Sequence, residues 1–144
     1  MNLEMTRVFN APRELVYRAF VDPDQLAQWF GPVGFSVPRE SVDIEAKVGG
    51  HQRFTMVDDS DPSIANPIEA TFSDVVENEL LVGYQDVQFP GEPPVRFELR
   101  LEFADTDGGT LLTIHQGPYS PEMESGARQG WESSFTKLDT LLAA

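Results

Sequence analysis

The hydrophobic pattern of the chain switches between a period of two and a helical period. From Leu3 to Phe9, apolar and polar positions alternate, with Leu3, Met5, Arg7 and Phe9 on one parity, which reads as a first strand. Ala11-Pro12 then opens a short helix, since proline is tolerated at the first helical position. Leu15, Val16, Ala19 and Phe20 share its apolar face. Asp22-Pro23-Asp24-Gln25 starts a second short helix: Asp22 caps it, Pro23 sits in the first turn and Gln25 is placed to complete a capping box. Its apolar side is Leu26, Trp29 and Phe30, and Gly31-Pro32 stops it.

From Phe35 to Gln116 the pattern alternates. The clearest run is Val95 to Phe103, where Val95, Phe97, Leu99, Leu101 and Phe103 take one parity and Arg96, Glu98, Arg100 and Glu102 the other. One face is therefore buried and the other wet, as in an antiparallel sheet. Asp105-Thr106-Asp107-Gly108-Gly109 reads as a hairpin turn, and Thr110 to Gln116 returns with Leu112 and Ile114 on one face. Earlier strands are expected at Phe35–Glu45, His51–Val57, Ile68–Val76 and Leu80–Phe89. Between them lie Gly49-Gly50, a loop from Asp58 to Pro67, Glu77-Asn78-Glu79, and Pro90 to Pro94. Ser120-Pro121-Glu122 starts a long final helix in which Met123, Ala127, Trp131, Phe135, Leu138 and Leu142 recur at steps of three and four. Gly126 and Gly130 interrupt it, marking either close approach of another backbone or local weakness.

These elements predict an α+β class, with one long amphipathic helix covering one face of an antiparallel sheet. A strongly twisted sheet around a single helix leaves wedge-shaped space for a small apolar molecule.

Composition narrows the function classes. The 144 residues suit one domain spanning 1–144. Lys plus Arg is 10 and Asp plus Glu is 24, a net charge of −14. Such a chain has no basic stripe to displace counterions from nucleic acid, and anionic lipid repels it. With 40% apolar residues and 10 Phe, it is too hydrophobic for disorder. Cysteine is absent, which excludes disulfides and thiolate chemistry. No apolar run approaches the roughly 20 residues of a membrane span. Met1 to Thr6 lacks the basic start of a secretory signal, so a cytoplasmic location is expected.

Several ordered motifs carry a resemblance. Arg7-Val8-Phe9-Asn10-Ala11-Pro12-Arg13-Glu14-Leu15-Val16-Tyr17-Arg18-Ala19-Phe20 resembles the opening of the SRPBCC (START-like, Bet v 1-like) superfamily, and most closely its activator of Hsp90 ATPase homologue 1-like branch. Asp22-Pro23, Leu26 and Trp29-Phe30-Gly31-Pro32 follow in the same order, then an acidic strand ending in Gly49-Gly50. Gly109-Thr110-Leu111-Leu112-Thr113, Gly130-Trp131 and Leu138 complete the set. The resemblance implies a helix-grip fold: a curved antiparallel β-sheet wrapped around a long C-terminal α-helix, with two short helices after the first strand and an internal cavity. The superfamily includes lipid carriers, hormone receptors, polyketide cyclases and co-chaperones, so fold does not dictate activity.

The candidate ligand-binding side chains are Trp29, Phe30, Phe54, Met56, Phe72, Tyr84, Phe97, Leu99, Trp131 and Phe135, expected to point inward as a cavity wall or a filled core. Gln116 shares parity with Leu112 and Ile114, so it faces in and His115 faces out. Arg7 is expected to pair with a strand carboxylate such as Asp43 or Glu45. His51 and His115 are too few for a histidine metal site, and each reads as a surface residue or a general base. Asp58-Asp59-Ser60-Asp61 lacks the glycine and distal glutamate of a calcium loop and reads as a solvated tip. No catalytic residue, metal or cofactor is assigned.

The expected role is non-enzymatic binding of a small hydrophobic molecule in the interior. Pro90 to Pro94 and the Gly31-to-Gly34 turn would then act as lids. A co-chaperone-like interaction surface is an alternative, as is a cyclase- or hydrolase-like enzyme using an inward acid or base. A homodimer through an exposed edge strand is a further option.

Overall fold

Strand β1 (Leu3–Phe9) is followed by helices α1 (Arg13–Val21) and α2 (Pro23–Trp29). Two short strands, β2 (Phe35–Ser36) and β3 (Asp43–Ile44), flank a 3-10 turn at Arg39–Ser41. Five longer strands follow: β4 (His51–Asp58), β5 (Asp61–Val76), β6 (Leu80–Val87), β7 (Val95–Thr106) and β8 (Gly109–Gly117). Helix α3 (Pro121–Ala143) comes last. The structure is a computed structural model and describes residues 2–143. All strand pairings are antiparallel, in the order β1-β8-β7-β6-β5-β4-β2, with β3 also on β4. The sheet curls around α3, as a helix-grip fold requires.

The inner face follows from register. Phe97, Leu99 and Leu101 lie opposite Gln85, Gly83 and Leu81 on one side. On the other side Leu99, Leu101 and Phe103 lie opposite Gln116, Ile114 and Leu112. The buried centre is aromatic: Phe20 meets Trp29 edge-on at 4.8 Å between centroids, and Phe9 meets Phe135 at 5.1 Å. Trp29 is fully buried, and its indole N–H donates to the Ala19 carbonyl at 2.8 Å. That bond removes the penalty of burying an unpaired donor. At the base of β8, a Cβ on Gly109 would collide with the Phe9 carbonyl oxygen, so only glycine lets the strands meet there. The adjoining Thr110 hydroxyl, also buried, donates to the Ala11 carbonyl at 2.7 Å.

Several expectations are corrected. On α1, Leu15 is 39% exposed and Tyr17 takes its place on the buried face. The capping box of α2 does not form: Asp22 accepts from the Asp24 and Gln25 N–H groups, but its own N–H already closes α1 on Arg18. Phe35–Glu45 is a broken strand. Pro38 lacks a donor there, and the Ser41 hydroxyl, which donates to the Pro38 carbonyl, accepts the Thr55 N–H instead. The expected Asp58-to-Pro67 loop is mostly strand. Asp58 accepts from the Ser60 N–H and hydroxyl and caps a tight turn, and β5 begins at Asp61. Pro67 is tolerated because it faces Thr55, whose N–H points toward Ser41; the missing donor therefore points away from β4, beyond the reach of β6. On α3, Met123 is exposed, and a Cβ at Gly126 or Gly130 would meet nothing within 4 Å, so no backbone approaches either glycine.

Candidate functional site

Between α3 and the inner sheet face lies a hollow of about 160 Å³. Its existence has a local cause. Gln52, Phe54, Ile68 and Phe72 from β4 and β5 are large, but Ala70 and Gly83 sit among them, and a Cβ built on Gly83 would lie 3.6 Å from that of Ala70. Two side-chain-poor positions in the middle of a row of large ones leave space that neighbours do not refill. Leu81, Phe97, Leu99 and Leu101 form the β6 and β7 wall, and Phe20, Phe30 and Trp131 close it from the helices. Leu81 and Leu101 are buried, Phe97 is half-buried and Gln85 is exposed, so the open end lies toward the Pro90-to-Pro94 connection.

A second, more open hollow of about 230 Å³ adjoins it, sharing Phe30, Gln116 and Trp131. It lies between the Gly31-Pro32 turn, Met56, Tyr119 and the small residues Ala127, Gly130 and Ser134 of α3. Two α3 side chains hold that turn. The Ser133 hydroxyl accepts the Val33 N–H at 2.8 Å, and Lys137 donates to the Phe35 carbonyl at 3.1 Å. Loss of water around Lys137 lowers its pKa, opposed by the charge of Asp59.

Gln52, Gln85, Glu98 and Gln116 border the inner hollow, and Gln116, Tyr119 and Ser134 the outer one. The Trp131 indole N–H donates to Gln116 Oε1 at 2.8 Å, which places the Gln116 side chain inward. Burial raises the Tyr119 pKa above its ordinary value of 10.0. His115 is on the opposite parity to Gln116, between Glu4 and Glu102, and His51 lies 2.9 Å from Asp43 on the outer parity of β4. Neither histidine lines a hollow.

Of the side chains expected to form a wall, Phe30, Phe54, Phe72, Phe97, Leu99, Gln116 and Trp131 are brought together around the inner hollow. Met56 belongs to the outer one. Trp29 and Phe135 are filled core, 0% and 1% exposed. Tyr84 borders the inner hollow, but it is opposite Glu98 on the wet parity and its ring carries the Arg96 guanidinium at 4.0 Å. Leu81 and Gln85 hold the inward parity of that strand instead. Ala70 and Gly83 were missed; small residues on the inward parity of two strands paired with each other are the signal that finds them. Arg7 pairs with Asp139 on α3, not with Asp43 or Glu45. Among the described residues, no group of three acidic or histidine side chains is placed to hold a metal, and no helix is long and apolar enough to cross a membrane.

Compared with known proteins, residues 10–143 match the family described as activator of Hsp90 ATPase homolog 1-like protein. A crystal structure of a Chromobacterium violaceum protein is similar with a TM-score of 0.85 and 25% identity, over 99% of this chain and 97% of that one. A Nitrosomonas europaea protein gives 0.83 and 24%, over 99% and 94%. The AHSA1 protein of Silicibacter pomeroyi gives 0.82 and 21%, over 99% and 98%. None of the curated proteins matches the sequence.

Proposed function

The chain belongs to the activator of Hsp90 ATPase homolog 1-like family, and from that premise we propose that its interior binds a small, largely apolar molecule. The observation that carries this reading is the hollow left by Ala70 and Gly83 under a wall of large apolar side chains. Its 160 Å³ is the scale of one aromatic ring, since a dry engineered cavity of roughly 150 Å³ holds benzene. The driving force is burial: each ~100 Å² of apolar ligand surface removed from water contributes about 2.5 kcal/mol. The exposed end near Gln85 and Phe97 supplies a route of entry.

The test is a calorimetric titration with small aromatic hydrocarbons, supported by native mass spectrometry of protein from its own host. Binding is expected in the unaltered protein and is abolished by Ala70→Leu, which fills the hollow without adding a polar group. No binding by any such probe, and no co-purifying mass, would transfer the role to an outer surface of the co-chaperone-like kind.

A further inference from the structure

An indole N–H donates and cannot accept. The Trp131–Gln116 bond therefore holds the Gln116 oxygen toward Trp131 and turns the amide NH₂ group away from it. That NH₂ group has no hydrogen-bond partner among the described residues. Gln116 and Trp131 line both hollows, so the free donor stands where the two meet. Neither hollow is lined by a lysine, arginine or histidine, and the chain carries a net charge of −14. A carboxylate or phosphate brought there would lose its water with no cation to replace it.

Resting on the reading of the interior as a binding site, we propose that the ligand is a neutral molecule with a hydrogen-bond-accepting oxygen between two apolar arms, and that Gln116 selects that oxygen. Ketones, esters and ethers have this chemistry. One arm fills the inner hollow beside Ala70 and Gly83, and the other extends past Met56 and Tyr119 in the outer hollow. Trp131 is a positioning residue: it fixes which end of the amide is presented.

Butyrophenone and butylbenzene are matched probes, because they share ring and chain and only the first has a carbonyl oxygen. Each is titrated into the full chain by calorimetry. Butyrophenone is expected to bind roughly tenfold more tightly, the scale of one well-made hydrogen bond in a site with little water. Gln116→Met, close in volume, is expected to bring the two within roughly twofold of each other while butylbenzene still binds, which also shows that the variant is folded. Trp131→Phe frees the amide to turn and is expected to narrow the same preference. Equal binding of both probes by the unaltered protein, or a preference that survives Gln116→Met, overturns the role of Gln116 and leaves interior binding standing. Binding of neither probe while benzene still binds overturns the two-armed ligand and leaves interior binding standing; no binding of benzene either, with no co-purifying mass, overturns both.

Discussion

Arg7 of β1 and Asp139 of α3 form a two-pronged pair, with nitrogen–oxygen distances of 3.0 and 2.6 Å, while the guanidinium lies 4.8 Å from the Phe9 ring centroid and 5.6 Å from that of Phe135. The arginine thus caps the aromatic centre as well as meeting a charge. Solvent reaches both side chains, so the ion pair alone is worth little. Asp139→Asn is expected to lower stability by about 0.5 kcal/mol, and Arg7→Ala by about 1–1.5 kcal/mol because it also uncovers the rings. Urea unfolding of the two single variants and the double variant checks the difference.

Phe135 and Phe97 separate core from wall. Phe135→Ala removes a ring packed against Phe9 and Trp131 and is expected to cost about 3–5 kcal/mol. Phe97 is half-buried at the open end, and Phe97→Ala is expected to cost only about 1 kcal/mol. Apolar probes larger than one ring should gain affinity in that variant. Chemical unfolding and calorimetry on the same samples read both effects.

Gly126→Ala is expected to stabilise the protein by about 0.5–1 kcal/mol, because a Cβ there touches nothing within 4 Å and the helix gains a better former. Gly130→Ala should stabilise similarly while intruding on the outer hollow that Gly130 lines. Thermal unfolding midpoints that fall in both variants would contradict this account.

Burial raises the Tyr119 pKa above 10.0, and burial followed by the Glu77 charge does the same for Tyr17. In the unfolded chain both ionise near 10.0, while in the folded chain they stay protonated longer. The folded state then holds more protons, so stability is undiminished below pH 10.0 and is lost as pH rises through the raised values. Tyr17→Phe combined with Tyr119→Phe is expected to reduce that alkaline loss, read as unfolding free energy against pH. Ultraviolet titration should show two late phenolate transitions disappearing in the double variant.

Parity made most of the interior legible before any coordinates. The Val95-to-Phe103 row has only one arrangement that hides its apolar side, and the same constraint placed Gln116 inward and His115 outward. Tyr84 borders the hollow from the parity opposite to Leu81 and Gln85, with its ring under Arg96, a placement that its aromatic character alone does not reveal. The hollow itself was illegible for a different reason. It is made by what Ala70 and Gly83 lack, and a missing side chain carries meaning only once register shows what surrounds it. The polar stretch after Asp58 looks like a loop by composition, yet its backbone pairs with β4 at Asp61 and again from Ala65 onward, on either side of an irregularity at 62–64, and side-chain chemistry does not report that pairing. The partner of Arg7 depends on where the last helix crosses the first strand, which local pattern cannot supply.

All ladders but one join strands that are near neighbours along the polypeptide; the exception sets Met5 against Ile114. Successive hairpins can zip up by themselves, whereas uniting positions 5 and 114 requires the intervening backbone to be drawn into a ring, with its entropic toll. Docking of the opening segment therefore carries the largest loop-closure cost of any ladder in the sheet, and what it secures is the packed centre around Leu3 and Phe9.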